Sequence, residues 1–174
     1  MDPVKQFSRY RFDNDLTLLV SENPNLPLVS INAFTLAGTN RNPLQQPGLA
    51  MLTSRLLDEG TENYHANEIS EMVENTGGSL STFCEREVSG ISELIGSSHL
   101  TLGLDLLQEV LLSPIFPEEH FEIERQKVLS HLQAMSDDPL LVANNWLNSW
   151  IYNGSPLQYP ILGTKKSVGN LKTS

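Results

Sequence analysis

The first third of the chain alternates hydrophobic and polar residues, a pattern typical of β-strands that bury one face. Two short runs, 9–12 and 16–20, flank an Asp-Asn-Asp segment at 13–15, whose residue types tolerate the left-handed backbone of a tight turn. A longer run over 28–38 predicts a further strand with alternate residues on opposite sides. One side would carry Val29, Ile31, Ala33 and Thr35, and the other Leu28, Ser30, Asn32 and Phe34.

From residue 48 onward, hydrophobic residues recur mainly at helical spacing. Helices are predicted over five segments: 48–60, 66–76, 99–112, 118–135, and from Asp137 to about Tyr152. Between the second and third helices, residues 79–85 and 88–96 predict a second hairpin, and the tail over 153–174 is predicted to be a loop. Together these elements predict an α+β fold, in which a mainly antiparallel sheet carries helices on one face.

Composition and charge narrow the range of functions. The chain has 174 residues, 39% of them hydrophobic, which suits one domain with a substantial core. Its net charge of -10 argues against binding nucleic acid or anionic membranes, because both require a cationic surface. The simplest explanation of this acidic composition is solubility. The alternative is an acidic surface that attracts basic peptides. No apolar run approaches the length of a transmembrane helix, and the first residues form no hydrophobic signal region. The sequence does not indicate a cellular compartment.

The first predicted helix carries the frame Gly-x-Ala-x6-Leu-x-x-Gly-Thr, which begins at Gly48 and ends at Thr61. This frame closely resembles the first helix of the pitrilysin/insulinase metallopeptidases, which include the mitochondrial processing peptidases. Those enzymes carry H-x-x-E-H here, because two histidines one turn apart bind zinc while the glutamate activates the zinc-bound water. In this chain Met51 and Arg55 replace the histidines and Ser54 replaces the glutamate. The resemblance therefore implies a member with no catalytic residue and no zinc site.

The third zinc ligand of the family lies in a Glu-Arg-x-x-Val-x-x-Glu pattern. Glu124, Arg125 and Val128 keep that pattern, whereas His131 occupies the ligand position. A different site formed by His120, Glu124 and His131 is excluded by distance, because about 10 Å of helical rise separates the last two. His120 and Glu124 are expected to form a surface pair instead. An active hydrolase with another metal set is disfavoured by Met51 and Arg55.

The segment that begins at Gly77-Gly78 resembles the family's Gly-Gly-x-x-Asn-Ala-x-Thr stretch. In the family this is an edge strand that pairs with an extended substrate peptide through main-chain hydrogen bonds. The resemblance implies that Ser81, Thr82 and Phe83 bind peptide in this way. Cys84 is the only cysteine, and without an identifiable catalytic partner it is interpreted as a small strand side chain.

The resemblance also implies the role and the partners of the chain. It would be the non-catalytic lobe of a longer chain or the inactive subunit of a two-chain peptidase, and it would form half of an enclosing chamber that holds an extended peptide. Hydrolysis, and the zinc cofactor, would then belong to a catalytic partner lobe. Residues 1–174 are expected to form one lobe, truncated before its closing helix and strands. The alternative is a structural scaffold without peptide binding, as in respiratory-complex core proteins of this fold. Trp146 and Trp150 are expected in the core or in a lobe interface.

Overall fold

The computed structural model describes residues 7–173, which form two antiparallel sheets and six α-helices. The predicted first hairpin is present: β1 (Ser8–Arg11) pairs with β2 (Thr17–Val20). Asp15 has the positive φ of 67° that the turn requires, and the Arg11 guanidinium donates to its carboxylate over 2.7 Å. Both strands are exposed along their whole length.

The main sheet has three antiparallel strands in the order β3–β5–β4. The strands are β3 (Leu28–Thr35), β4 (Ser79–Cys84) and β5 (Ser89–Gly96). The alternation predicted for β3 is confirmed, since Val29, Ile31 and Ala33 are half-buried while the opposite face is exposed. Within residues 7–173, helices cover only the first of these two faces, as expected for an α+β fold.

Six α-helices are present among residues 7–173, and the first five begin close to the predicted positions. They are α1 (Leu49–Arg55), α2 (Ala66–Asn75), α3 (Leu100–Leu112), α4 (Glu118–Met135), α5 (Pro139–Ile151) and α6 (Lys165–Asn170). The prediction that the first helix reaches residue 60 is wrong, because the chain tightens into turns after Arg55. The amides of Leu56 and Leu57 bond three residues back, to Thr53 and Ser54. Within residues 7–173, no helix is both long and apolar enough to cross a membrane.

The tail was predicted to be a loop, and this is wrong for α6. The Thr164 hydroxyl accepts a hydrogen bond from the Ser167 amide over 3.1 Å, and this N-cap starts the helix. Val168 is fully buried, and its Cγ2 lies 3.0 Å from the position that a Cβ on Gly48 would occupy. The left-handed Gly48, with a φ of +92°, thus allows the tail to pack against the start of α1.

Two clusters of buried side chains form the core. One joins α1 and α4 to the tail and contains Leu52, Leu56, Phe121, Val128, Leu132, Leu162, Val168 and Leu171. The other lies between the sheet, α2 and α3, where Ile69, Ile91 and Val110 are buried. By contrast, α5 contains no buried residue, so Trp146 and Trp150 are not part of this core. Their rings are 5.6 Å apart at the centroids, and the two residues are 67% and 73% exposed.

One acid is buried beneath the sheet. Glu93 of β5 is 1% exposed, and neither carboxylate oxygen has a hydrogen-bond partner among the described residues. Its neighbours across the sheet are the apolar Ile31 and Leu80, and Gly103 of α3 leaves space for the carboxylate. Burial raises the pKa of Glu93 to about 7. The fold therefore carries a carboxyl group that binds its proton more tightly than an exposed glutamate does.

Candidate functional site

The candidate site lies where α1 meets α4 and β4. Leu52 and Ser54 of α1 are buried, while Met51 and Arg55 are half-buried. Ser54 stands at the position of the family's catalytic glutamate. Its hydroxyl donates to the main-chain carbonyl of Phe83 over 2.8 Å. This residue therefore fastens the helix to β4 instead of facing a metal.

Arg55 forms an ion pair across the helix interface. Its Nη1 lies 3.2 Å from Oε2 of Glu124 on α4, and Lys127 Nζ donates to Oε1 of the same carboxylate over 2.6 Å. This hydrogen bond and the charge of Glu124 raise the pKa of Lys127. Glu124 is buried, so its charge needs such partners. Each oxygen of Glu124 is thus already bound to a cation.

The histidines of α4 do not form the arrangement expected from their spacing. The predicted pair between His120 and Glu124 is wrong, because His120 Nδ1 bonds the carboxylate of Glu59 and Glu124 bonds the two cations. His131, at the family's third ligand position, is exposed. The partner of His120 could not be found from helical spacing, because Glu59 is 61 residues away in sequence.

These residues do not fit a zinc ion. Arg55 has no lone pair for a metal and stays charged. Its guanidinium also donates a hydrogen bond to the carboxylate of Glu124. A zinc ion would be a third cation beside Arg55 and Lys127 and would be repelled by both. Among residues 7–173, no group of three or more His, Cys, Asp or Glu side chains is arranged to hold a metal.

The second part of the site is the free edge of β4. This strand pairs with β5 on one side, and no strand within the described part of the chain pairs with its other side. The hairpin fixes which main-chain groups face that edge. The Glu85 amide bonds the Val88 carbonyl over 2.8 Å, and bonded pairs alternate along an antiparallel ladder. The register then directs the main-chain groups of Ser81 and Phe83 toward β5, and those of Leu80 and Thr82 toward the free edge.

The face of the sheet opposite the helices carries an aromatic pair. The rings of Phe34 and Phe83 meet edge to face, with centroids 5.5 Å apart, across the register position of Gly90 on β5. Phe34 is 65% exposed. Of the three predicted peptide-binding residues, Ser81 and Phe83 therefore lie on this open face, whereas Thr82 shares the helix-covered face with Ile91.

Cys84 ends β4 and is buried. Burial, together with the nearby charge of Glu85, raises the pKa of its thiol to about 11. The protonated thiol is a poor nucleophile, which agrees with the interpretation of Cys84 as a small strand side chain.

The sequence of this chain is similar to those of known proteins. The family model described as "Insulinase (Peptidase family M16)" matches residues 17–165. The chain is 24% identical over 162 residues to "Uncharacterized zinc protease YmxG" of Bacillus subtilis, covering 93% of this chain and 40% of that protein. It is also 24% identical over 153 residues to cytochrome b-c1 complex subunit 1, mitochondrial, of Caenorhabditis elegans, covering 88% of this chain and 32% of that protein.

A solved structure has the same fold. It is the peptidase M16 inactive domain from Pseudomonas fluorescens, with a TM-score of 0.90 and 21% sequence identity, covering 95% of this chain and 40% of that one. The chain thus spans about two fifths of the length of the first curated relatives that it matches. The match of the family model over most of its residues shows that the chain belongs to the insulinase family, peptidase family M16.

Proposed function

We propose that the chain is a non-catalytic lobe or subunit of a pitrilysin-like zinc metallopeptidase, and that it forms half of the chamber that encloses the peptide. The observation that carries this proposal is the ion pair of Arg55 with Glu124 on the helices where the family's zinc ligands lie. The pair stabilises the interface of α1 and α4 without a metal. The similarity to an inactive domain supports the same conclusion.

The catalytic partner would supply the zinc and carry out hydrolysis. Family members pair such lobes either within one chain or between two subunits, and both arrangements would place a zinc-bearing lobe opposite this one. The chain's own contribution would be to hold an extended peptide. The free edge of β4 suits this task, because Leu80 and Thr82 direct main-chain donors and acceptors to it. Ser81 and Phe83 would flank the peptide from the open face.

A structural scaffold of the same fold is the second candidate. The observation in its favour is the similarity to cytochrome b-c1 complex subunit 1, mitochondrial. In that case the free edge of β4 would take up no peptide. Peptide binding at this edge therefore separates the two candidates.

Purification of the native full-length protein from its own cells tests the partnership. We expect an H-x-x-E-H sequence either in the same polypeptide or in a stoichiometric partner identified by mass spectrometry. The purified assembly should cleave peptides, and a zinc chelator should abolish that activity. Recovery of the protein alone and without such a sequence, or only with non-peptidases, would contradict the proposal and favour the scaffold.

Replacing Thr82 with proline tests the edge itself. Proline removes the outward-facing amide of residue 82, while an edge strand tolerates it because no ladder bond to β5 is lost. We expect peptide affinity, measured by isothermal titration calorimetry on the full chain, to fall at least about tenfold. The control Thr82→Ala keeps the amide and should bind like the wild type.

Peptide chemistry provides a readout that does not depend on the stability of the Thr82→Pro variant. A peptide whose edge-facing amides are N-methylated cannot donate to Leu80 and Thr82, so it should bind the wild-type chain at least about tenfold more weakly. Equal binding of the methylated and unmethylated peptides would contradict main-chain pairing.

A further inference from the structure

A cavity of about 230 Å³ lies beneath the start of β4, between that strand and α2. Its apolar wall includes Ile69 and Val73 of α2, which are almost fully buried, and Leu80 of β4. Two acids, Asp58 and Glu74, also line the cavity, together with Ser70, Gly78 and Ser79. The cavity thus combines a hydrophobic wall with negative charge, next to the edge at which a peptide would pair.

The pleat of the sheet determines which peptide side chain would reach this cavity. Residues directly opposite each other in neighbouring strands project their side chains to the same face. Leu80 projects to the helix-covered face, as does its partner Glu93 in β5. A peptide residue paired opposite Leu80 would therefore direct its side chain beneath the sheet, toward α2 and Asp58.

The two acids have no cationic partner among the described residues. The five ion pairs found between residues 7 and 173 involve neither Asp58 nor Glu74. Burial raises the pKa of Asp58, and the nearby carboxylates of Glu59 and Glu124 act in the same direction. Its ionised form is therefore destabilised, and a cation placed beside it would offset that cost.

We propose that this cavity is a subsite for a lysine or arginine side chain of the peptide that pairs with β4; this inference rests on the proposed peptide binding by that edge. The methylene stem would contact Ile69, Val73 and Leu80, and the cationic end would meet Asp58 and Glu74. An apolar side chain would fill the same space but leave Asp58 without a charge partner. An acidic side chain would be repelled.

A set of peptides that differ at one position tests the subsite. The host is a short peptide of alternating threonine and valine, and the guest position carries lysine, norleucine or glutamate. Norleucine is the matched control, since it keeps the methylene stem of lysine and lacks the charge. We expect the lysine peptide to bind the full chain about tenfold more tightly than the norleucine peptide, and the glutamate peptide to bind most weakly.

Variants of the chain test whether the two acids cause the preference for the lysine peptide over the norleucine peptide. Asp58→Asn combined with Glu74→Gln should bring the affinities of the lysine and norleucine peptides to within about twofold of each other. Glu71→Gln is the control, because Glu71 lies on the same helix and is exposed but does not line the cavity. Circular dichroism verifies that each variant is folded.

The outcomes separate this inference from the proposed function. If the three peptides bind with equal affinity, the subsite is refuted and pairing at the edge stands. If none binds, the proposed peptide binding itself fails. An undiminished lysine preference in the Asp58→Asn/Glu74→Gln variant would refute the assignment. An equal loss in Glu71→Gln would refute it too, because overall negative charge would then explain the preference.

Discussion

Replacement of Glu93 with leucine is expected to raise the free energy of unfolding at about pH 9 by about 3 kcal/mol. Burial raises the pKa of Glu93 from its ordinary 4.5 to about 7. Between these two pH values the folded state therefore holds a proton that the unfolded chain releases. The contribution of this protonated carboxyl group to the free energy of unfolding is fully present below pH 4.5 and is lost as the pH rises through 7. Urea denaturation of wild type and variant at several pH values measures the effect.

Glu93→Gln distinguishes the effect of the titrating proton on stability from the effect of burying a polar group. The amide has the shape of the carboxyl group and remains buried beside Gly103, but it does not titrate. The Gln variant should therefore lose the decline in stability between pH 4.5 and about 7, even if its buried amide keeps it less stable than the leucine variant. If the stability of the wild type and of both variants declines equally over this range, other groups are responsible and Glu93 does not cause the decline.

Gly90→Ala is expected to lower the free energy of unfolding by about 3 kcal/mol or more. A Cβ at this position would lie 2.0 Å from the carbonyl oxygen of Ala33 and 2.9 Å from the ring of Phe83. The oxygen is main chain in the neighbouring strand, so it cannot move aside without separating β3 from β5. Urea denaturation followed by far-ultraviolet circular dichroism measures the change.

The same strand offers a matched control in Gly96→Ala. A Cβ on Gly96 would meet its nearest neighbour, the His99 ring, at 3.6 Å, which is ordinary contact. We expect this variant to unfold within about 1 kcal/mol of the wild type. Similar losses for the two variants would mean that the conformational preference of the glycines, rather than the close approach at Gly90, decides their cost.

Much of the fold follows from periodicity in the sequence. The alternation over 28–38 identified both faces of β3, and helical spacing located α2 to α5 within a few residues. The end of α1 was missed because the spacing of its leucines continues to Leu56, although the main chain turns after Arg55. The tail was missed because its Gly and Pro content concealed the Thr164 and Ser167 N-cap that begins α6.

The candidate site was only partly predictable. The loss of the zinc ligands can be recognised from the residue types at Met51 and Arg55. A guanidinium cannot act as a metal ligand in any fold, because it has no lone pair to donate. The ion pair of Arg55 with Glu124 spans 69 residues and arises from the packing of α1 against α4. Likewise, alternation shows that successive residues of β4 face opposite sides, but the outward direction of the Thr82 main chain depends on the bond between Glu85 and Val88 that closes the hairpin.

The position of the two tryptophans has a spectroscopic consequence. The chain has only Trp146 and Trp150, and both project from α5 into solvent as a neighbouring pair. Emission of the isolated folded chain should therefore already resemble that of water-exposed indole, and loss of the core should change it little. A shift to shorter wavelength would instead report that another surface has covered α5. Intrinsic fluorescence of this chain thus serves as an optical signal for docking on α5.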